Sequence, residues 1–366
     1  RDQCVIRLRI DGVLHTVYQL PQTVMAAVTA RIKLLGRMDV IERRRAQDGR
    51  IKTRSPRGDE IEMRLSTLPT AFGEKLVMRI FDPETAVQPV EGLGFTALDA
   101  QRWQGLTAQP HGIVLVTGPT GSGKTTTLYA TLKRLATDEV NVCTIEDPIE
   151  MIEPAFNQTQ VQPALDLDFA SGLRTLMRQD PDIIMIGEIR DLATAEMAVQ
   201  AALTGHLVFS TLHTNDAASA ITRLLDLGVP AYLISATLIG VLAQRLVRQL
   251  CPNCCLPDPS LSLEALQAAL PGVPVLEDGE AFQPHRAAGC PACRQSGFRG
   301  RRGLFELLTV NEAVRGAVRD VPDLPVLRRQ SLSDGLQPLR RAGLRQVAEG
   351  RTTLDEVLRS TPGWET

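Results

Sequence analysis

The segment Gly118–Thr125 has the residue types and the spacing of a loop that binds the phosphates of a nucleotide. It reads GPTGSGKT and matches the pattern G-x-x-x-x-G-K-[ST], and the apolar run Ile113–Val116 predicts a strand immediately before it. Glycines allow backbone N–H groups to curl around phosphates, and the start of the following helix favours negative charge. We expect Lys124 to reach the β- and γ-phosphates and Thr125 to ligate Mg²⁺. The other residues expected to contact the nucleotide are Gly118, Pro119, Thr120, Gly121, Ser122 and Gly123.

Carboxylates follow two further predicted strands. The apolar run Ile183–Ile186 leads to Glu188, in the position of a Walker B acid, with Gly-Glu where many such enzymes have Asp. Glu188 would hold Mg²⁺ through water or orient the attacking water. The run Thr144–Glu150 (TIEDPIE) gathers three carboxylates, and one of them is expected to be the general base that hydrolysis requires. Helix capping and surface charge are the structural alternative for this cluster.

Two of the five histidines bracket one predicted strand. His206 opens the run and His213 closes it. An imidazole at that place can bind a γ-phosphate oxygen and respond to its loss, because its charge changes near neutral pH. The sequence therefore predicts a functional role for both.

Four of the seven cysteines form two CxxC pairs, Cys251–Cys254 and Cys290–Cys293. Four thiolates suit tetrahedral Zn²⁺, and a closed set of protein ligands predicts a structural site. The insert Cys255–Gly289 must then loop out and return. Cys255 is a competing ligand, and a redox pair or unmetallated thiols are the alternatives to zinc.

The pattern around these motifs predicts two kinds of domain. Residues 1–82 read as α+β, with a hairpin at Asp11-Gly12, a helix over Pro21–Leu35 and three later strands. The Pro- and Gly-containing segment 83–94 reads as a linker. Residues 95–366 read as α/β, because fully apolar strands alternate with helices, which predicts a mostly parallel sheet covered on both faces. Within it we expect a zinc subdomain at 251–293 and a helical region at 294–366.

Composition limits the class of protein. The chain has 366 residues, 43% of them hydrophobic and 22% charged, which is typical of a globular protein of two or three domains. Its net charge is -2, which argues against a strongly basic nucleic-acid binder. No apolar run reaches the length of a membrane helix. Because the chain begins at Arg1 within strand-like sequence, we expect the natural protein to start earlier.

The motifs GPTGSGKTTTLYA, TIEDPIE, LMRQDPDIIMIGEIRD and TGHLVFSTLHTNDA occur in that order at close spacing. Together they strongly resemble the type II secretion and type IV pilus-assembly ATPases (the GspE/PilB group). The resemblance covers essentially the whole chain, including RIDGVLH, QDGRI and STLPTAFGEKLVMRIFD. It implies a RecA-like P-loop domain with a tetracysteine zinc element, preceded by a PAS-like α+β domain.

The resemblance also implies roles for single residues. Glu150 is the expected catalytic base and Glu188 the atypical Walker B acid. His206 and His213 correspond to the histidine box of the family. Arg64 and Arg79 match arginines that the family brings from the N-terminal domain to the nucleotide, and arginine fingers raise rates by roughly 10³ to 10⁵.

These observations predict a cytoplasmic, homo-hexameric, ATP- and Mg²⁺-dependent motor with a structural Zn²⁺. It would act on inner-membrane platform proteins of a Gram-negative bacterium, powering type II secretion, with pilus extension as the alternative, and would contact the membrane only through those partners. Two other classes stay open. A nucleic-acid translocase is supported by the excess of basic residues in 1–82, where 16 Lys+Arg face 10 Asp+Glu. The few aromatic residues and the acidic remainder argue against it. A regulatory nucleotide-binding scaffold fits poorly with a base box and candidate arginine fingers.

Overall fold

The computed structural model describes residues 3–55, 58, 60–81, 89–277, 279–321 and 323–363. The chain divides into two compact units, residues 1–86 and residues 87–366. The strands are β1 Gln3–Ile10, β2 Val13–Pro21, β3 Gln47–Arg54, β4 Glu60–Thr70, β5 Gly73–Phe81, β6 Gly112–Thr117, β7 Val142–Glu146, β8 Asn157–Gln160, β9 Ile183–Ile186, β10 Leu207–Leu212, β11 Leu238–Leu250, β12 Leu256–Pro257, β13 His285–Arg286 and β14 Phe298–Thr309.

The helices of the described residues lie mainly in the second unit. They are α1 Gln22–Leu35, α2 Ala97–Thr107, α3 Lys124–Leu135, α4 Phe169–Leu176, α5 Leu192–Leu203, α6 Ala218–Asp226, α7 Ala231–Thr237, α8 Leu263–Ala268, α9 Glu312–Ala317, α10 Leu324–Ser333, α11 Leu339–Ala348 and α12 Leu354–Ser360. Within the parts of the chain that the structure describes, no helix combines the length and the apolar composition needed to cross a bilayer.

The first unit is built from two antiparallel sheets and one helix. β1 and β2 pair around Asp11 and Gly12, whose φ angles of 48° and 84° suit the tight hairpin turn that the sequence predicts. α1 follows, and β3, β4 and β5 form a three-stranded sheet in that order. Because the described strands form separate sheets of two and three strands, a PAS-like domain stays a prediction.

The second unit contains a seven-stranded sheet in the order β14-β11-β6-β10-β9-β7-β8. All neighbours are parallel except β14, which runs antiparallel to β11 at the edge. The strands β6, β7, β9 and β10 are fully buried, and separate clusters of apolar side chains pack on the two faces of the sheet. The carboxyl ends of these four strands meet at one edge, where open α/β sheets bind ligands.

The prediction of a helical region over 294–366 is wrong for its first part. Residues 298–309 form β14, which pairs with β11 from Gly240↔Thr309 to Leu250↔Phe298. Neither strand shows a clean alternation of apolar and polar residues, and β14 begins with the Arg- and Gly-rich sequence FRGRRG. Their pairing depends on contacts between residues about 60 positions apart, which no local pattern reveals. Helices α9–α12 follow β14 within the described residues.

The boundary between the two units lies within the predicted linker 83–94. Residues 82–88 fall outside the described residues. The described part that follows includes a short 3-10 turn at Val90–Gly92, and the Val90 side chain is buried in the core of the second unit. At least this end of the predicted linker therefore packs as ordered structure.

Candidate nucleotide and metal sites

The segment after β6 has the backbone of a phosphate-binding loop. Gly118, Gly121 and Gly123 have φ angles of 148°, 80° and 88°, in the region that only glycine adopts readily. A Cβ added to Gly118 would lie 2.5 Å from the carbonyl oxygen of Gln244. The loop then enters α3 at Lys124, so the free N–H groups of the helix start face the space enclosed by the loop. This cradle fits a nucleotide phosphate.

Lys124 is held inside the loop. Its Nζ donates hydrogen bonds to the carbonyl oxygens of Gly118 (2.7 Å) and Pro119 (3.2 Å). The pKa of Lys124 is lowered to about 8, chiefly by burial and less by the Arg245 guanidinium, while the Glu188 carboxylate opposes the change. A triphosphate would offer stronger acceptors than two carbonyl groups, so this side chain is placed to bind one.

Two residues of β11 support the loop and were not identified from the sequence. Gln244 Nε2 donates to the Ser122 carbonyl (2.8 Å), and Gln244 Oε1 accepts from the Thr127 hydroxyl (2.8 Å). Arg245 is 5% exposed, donates to the Asn215 carbonyl (2.8 Å) and lies beside Gly118. The sequence feature that could have identified them is a polar Gln-Arg pair in the middle of an otherwise apolar run, LIGVLAQRLV.

Acidic and histidine side chains meet at the same edge of the sheet. Glu188, just after β9, forms an ion pair with Arg190, and its Oε2 lies 3.5 Å from His213 Nε2. Arg190 also lies 3.9 Å from the Asp147 carboxylate, which follows β7. The structure thus brings together Glu188, His213 and the start of the EDPIE segment. The proximity of Glu188 to Lys124 suits an acid that holds Mg²⁺ beside the γ-phosphate.

The three carboxylates of the EDPIE segment have different environments. Glu146 is 3% exposed at the end of β7 and accepts hydrogen bonds from Tyr129, Thr144 and Gln158. Burial raises its pKa, and these donors oppose the rise. Asp147 is exposed and Glu150 is half-buried in the segment that follows. Only the latter two are accessible to an attacking water, which favours a base outside the buried cluster.

The structure does not bring His206 to this edge. Leu207, the next residue, pairs with Gly112 and Ile183, which are the first residues of their strands. His206 therefore lies at the amino end of the sheet, about 20 Å along the strand from its carboxyl end. There its Nδ1 lies 2.8 Å from the Ala201 carbonyl oxygen. Contact with a nucleotide bound at the loop of the same chain is excluded by this position.

Arg64 and Arg79 lie in the first unit. They are direct cross-strand partners on β4 and β5, so both side chains project from the same face of the sheet. Their approach to a nucleotide in the second unit stays a prediction.

The four paired cysteines form one compact cluster. The Sγ atoms of Cys251, Cys254, Cys290 and Cys293 all lie within 4.8 Å of one another. The Sγ–Sγ distances are 3.9 Å for Cys251–Cys290, 3.8 Å for Cys254–Cys293 and 3.7 Å for Cys290–Cys293. A zinc tetrahedron with Zn–S bonds of about 2.3 Å has edges of about 3.8 Å, so the cluster fits the ion closely. Cys255 does not belong to the group.

Backbone groups around the cluster favour thiolates. The N–H groups of Cys290 and Gly297 each lie 3.2 Å from Cys293 Sγ, and the N–H of Gly289 lies 3.3 Å from Cys254 Sγ. Such outer donors stabilise the negative charge that metal-ligating sulfur carries. The pairing of β12 with β13 returns the insert to the second CxxC pair.

Comparison with known proteins gives consistent matches. The family model of the type II/IV secretion system protein matches residues 1–359. The chain is 58% identical over 358 residues to the type IV pilus assembly ATPase TfpB of Acinetobacter baylyi, covering 98% of this chain and 60% of TfpB. It is 47% identical over 357 residues to the type II secretion system protein HxcR of Pseudomonas aeruginosa, covering 98% of this chain and 71% of HxcR.

Solved structures give the fold. The crystal structure of the pilus retraction motor PilT with bound ADP superposes with a TM-score of 0.63 at 24% identity, covering 97% of this chain and 90% of that chain. This likeness shows an α/β ATPase fold. The chain spans less than two thirds of the length of TfpB.

Proposed function

The chain belongs to the family of type II/IV secretion system proteins, and from this premise we propose that it hydrolyses ATP to drive pilus or pseudopilus assembly. One observation carries the proposal. A phosphate loop holding Lys124 opens at the sheet edge where Glu188, His213 and the EDPIE segment meet. These are the groups needed to bind a triphosphate and to activate a water beside it.

The proposed chemistry assigns a role to each of these residues. Residues 118–125 bind the phosphates, Thr125 would ligate Mg²⁺, and Glu188 would hold the ion through water or orient the attacking water. When bound, the ion neutralises charge that develops on the phosphate oxygens. Glu150 accepts the proton of the attacking water, and His213, paired with Glu188, responds to loss of the γ-phosphate.

We further propose that the motor is a cytoplasmic homo-hexamer that acts on inner-membrane platform proteins. In this proposal, residues 1–82 form a PAS-like domain that supplies Arg64 and Arg79 to the nucleotide, and 95–366 form a RecA-like domain. Hydrolysis changes the arrangement of the two domains, and the ring converts this change into work. His206 keeps no proposed role at the nucleotide of its own chain.

The identities favour pilus assembly over type II secretion. TfpB is 58% identical to this chain and HxcR 47%. Pilus assembly is therefore our first choice and type II secretion the second. Deletion of the gene in its own host distinguishes them, because loss of surface pili with unchanged protein export supports the first and the reverse result supports the second.

The experiment for the proposed chemistry is the variant Glu150→Gln, with Glu139→Gln as an exposed control in the same unit. The variant is expected to bind ATP but to hydrolyse it at least roughly 10²-fold more slowly, since it loses the general base. The measurements are phosphate release and the affinity of a fluorescent ATP analogue. Turnover close to that of the control would remove Glu150 from the mechanism.

A further inference from the structure

A buried polar cluster lies directly behind the segment that contains Glu150. It consists of Tyr129 on α3, Glu146 at the end of β7 and Gln158 on β8. Tyr129 is fully buried and Glu146 is 3% exposed. None of the proposed catalytic steps uses these three side chains.

The donor and the acceptor of each hydrogen bond in the cluster can be assigned from the contacts of Gln158. Gln158 Oε1 accepts from the Glu153 N–H at 2.8 Å, which turns its Nε2 toward the Met151 carbonyl (2.9 Å) and Tyr129 Oη (2.8 Å). With its oxygen accepting from Gln158, the Tyr129 hydroxyl donates to Glu146 at 2.8 Å.

Two further donors complete the set around Glu146. The Thr144 hydroxyl donates to its carboxylate at 2.7 Å, and the Glu150 backbone N–H also donates to it. A carboxylate accepts about four hydrogen bonds, so each of these donors has an acceptor, and together they oppose the rise in the pKa of Glu146 that burial causes.

The cluster therefore holds three backbone groups of one short segment. Glu146 binds the N–H of Glu150, and Gln158 binds both the carbonyl of Met151 and the N–H of Glu153. A second link comes from Lys133, whose Nζ lies 2.8 Å from the Glu153 carboxylate. Because Tyr129 and Lys133 both belong to α3, the segment is tied to the helix that begins at the phosphate loop.

Stability alone gives little reason for such an arrangement. Burying a carboxylate and a phenol is costly unless every group is paired, and apolar residues of similar volume would fill the space at lower cost. A fully paired polar network does fix geometry, and a general base must be held within about 0.5 Å of its productive position.

We propose that Tyr129, Glu146 and Gln158 form a positioning clamp that fixes Glu150 relative to the phosphate loop. The clamp binds no substrate and acts only through the backbone of residues 150–153. The inference rests on the proposed role of Glu150 as the base.

The test uses Tyr129→Phe, which removes one hydroxyl, and Glu146→Gln, which removes the charge. Each is expected to lower kcat by about tenfold or more while KM and the affinity for an ATP analogue change by less than about twofold, because a misplaced base affects only the chemical step. Tyr232→Phe and Glu196→Gln, both at exposed positions, are matched controls and are expected to keep the wild-type kcat.

A double-mutant cycle separates positioning from a structural role. In a Glu150→Gln background, Tyr129→Phe is expected to have no further effect on the residual rate, because the group that it positions is gone. Hydrogen exchange of the peptide spanning residues 147–155 is expected to accelerate in Tyr129→Phe and not in Tyr232→Phe.

The outcomes are distinct. The clamp would be overturned if Tyr129→Phe and Glu146→Gln both kept the wild-type kcat. It would also be overturned if Tyr129→Phe lowered the rate in the Glu150→Gln background by the same factor as in the wild type. Near-normal turnover of Glu150→Gln alone would overturn the proposed base instead. If Glu146→Gln does not fold, Tyr129→Phe alone decides the matter.

Discussion

At the scale of single residues, the phosphate loop depends on polar groups buried beneath it. Gln244 ties the Ser122 carbonyl to α3 through Thr127, and Arg245 fills the space beside Gly118. A buried amide and a buried guanidinium are retained at low cost only when their hydrogen bonds are made, and here backbone carbonyls accept them. These hydrogen bonds thus help to hold the loop in its phosphate-binding shape.

Arg79 gives a prediction at the same scale. Arg79 lies at an exposed position of β5, directly opposite Arg64 on β4. Arg79→Ala should therefore leave the free energy of unfolding within about 0.5 kcal/mol of the wild type, as exposed substitutions usually do. Turnover should fall by at least roughly 10³-fold if the guanidinium stabilises the transition state.

The measurement is turnover per folded protein, with Arg54→Ala as a control at an exposed strand position of the same unit. Equal rates for Arg79→Ala and Arg54→Ala would show that Arg79 has no part in the chemistry.

The residues of the loop were predictable because they form one contiguous motif and because its glycines have positive φ angles that other residues rarely adopt. The position of His206 at the edge of the sheet opposite the loop follows from strand direction. In a parallel sheet the residue before a strand lies at the edge opposite the loops that follow the strands, and His206 precedes β10. Gln244 and Arg245 could not be placed without knowing that β11 adjoins β6.

At the scale of elements, the four-cysteine cluster joins the two ends of the insert between the CxxC pairs. The CxxC pairs lie at the ends of an insert whose two-residue strands, β12 and β13, offer little pairing of their own. We predict about one Zn²⁺ per chain, as expected for a closed Cys₄ site. In Cys254→Ser, elemental analysis should show loss of zinc. The thermal midpoint of unfolding should also be lower than in the wild type, since metal binding is coupled to folding. Cys255→Ser is the matched control, and loss of zinc from it, or full zinc in Cys254→Ser, would contradict the assignment.

The edge strand β14 carries a buried acid that links three elements. Glu306 accepts from the N–H of Ala217, at the start of α6, and from that of Leu339, the first residue of α11. Its pKa is raised to about 7, chiefly by burial and further by the nearby Asp216 carboxylate, while the two N–H groups and Arg245 oppose the rise.

This shift predicts a pH dependence of stability. Between its ordinary pKa of 4.5 and about 7, Glu306 stays protonated in the folded chain while it ionises in the unfolded chain. Its contribution is therefore fully present below pH 4.5 and declines as the pH rises to 7, by up to about 3 kcal/mol. Glu306→Gln is neutral throughout, so the thermal midpoint of the wild type minus that of the variant should decrease from pH 5 to pH 8. A constant difference would show that Glu306 has an ordinary pKa.

Strands were predictable where burial on both faces produces continuous apolar runs. This holds for β6, β7, β9 and β10. It fails for β8, whose sequence NQTQ has no apolar pattern because the strand lies at an edge of the sheet. Continuous apolar runs are also missing from β11 and β14, because polar residues of these strands form hydrogen bonds with the phosphate loop and with the start of α11.

At the scale of the whole molecule, charge is unevenly distributed. Residues 1–82 carry 16 Lys+Arg against 10 Asp+Glu, and the remaining residues carry 24 against 32. Opposite net charges favour docking of one such unit against the other, within a chain or between chains.

The most direct measurement is ATP turnover per chain as a function of protein concentration, with Glu150→Gln alongside. If assembly completes the active sites, specific activity rises with concentration and levels off, and Glu150→Gln stays at least roughly 10²-fold lower throughout. A specific activity that is independent of concentration and still requires Glu150 would show that each chain hydrolyses ATP alone. That result would contradict a motor whose sites are completed between subunits.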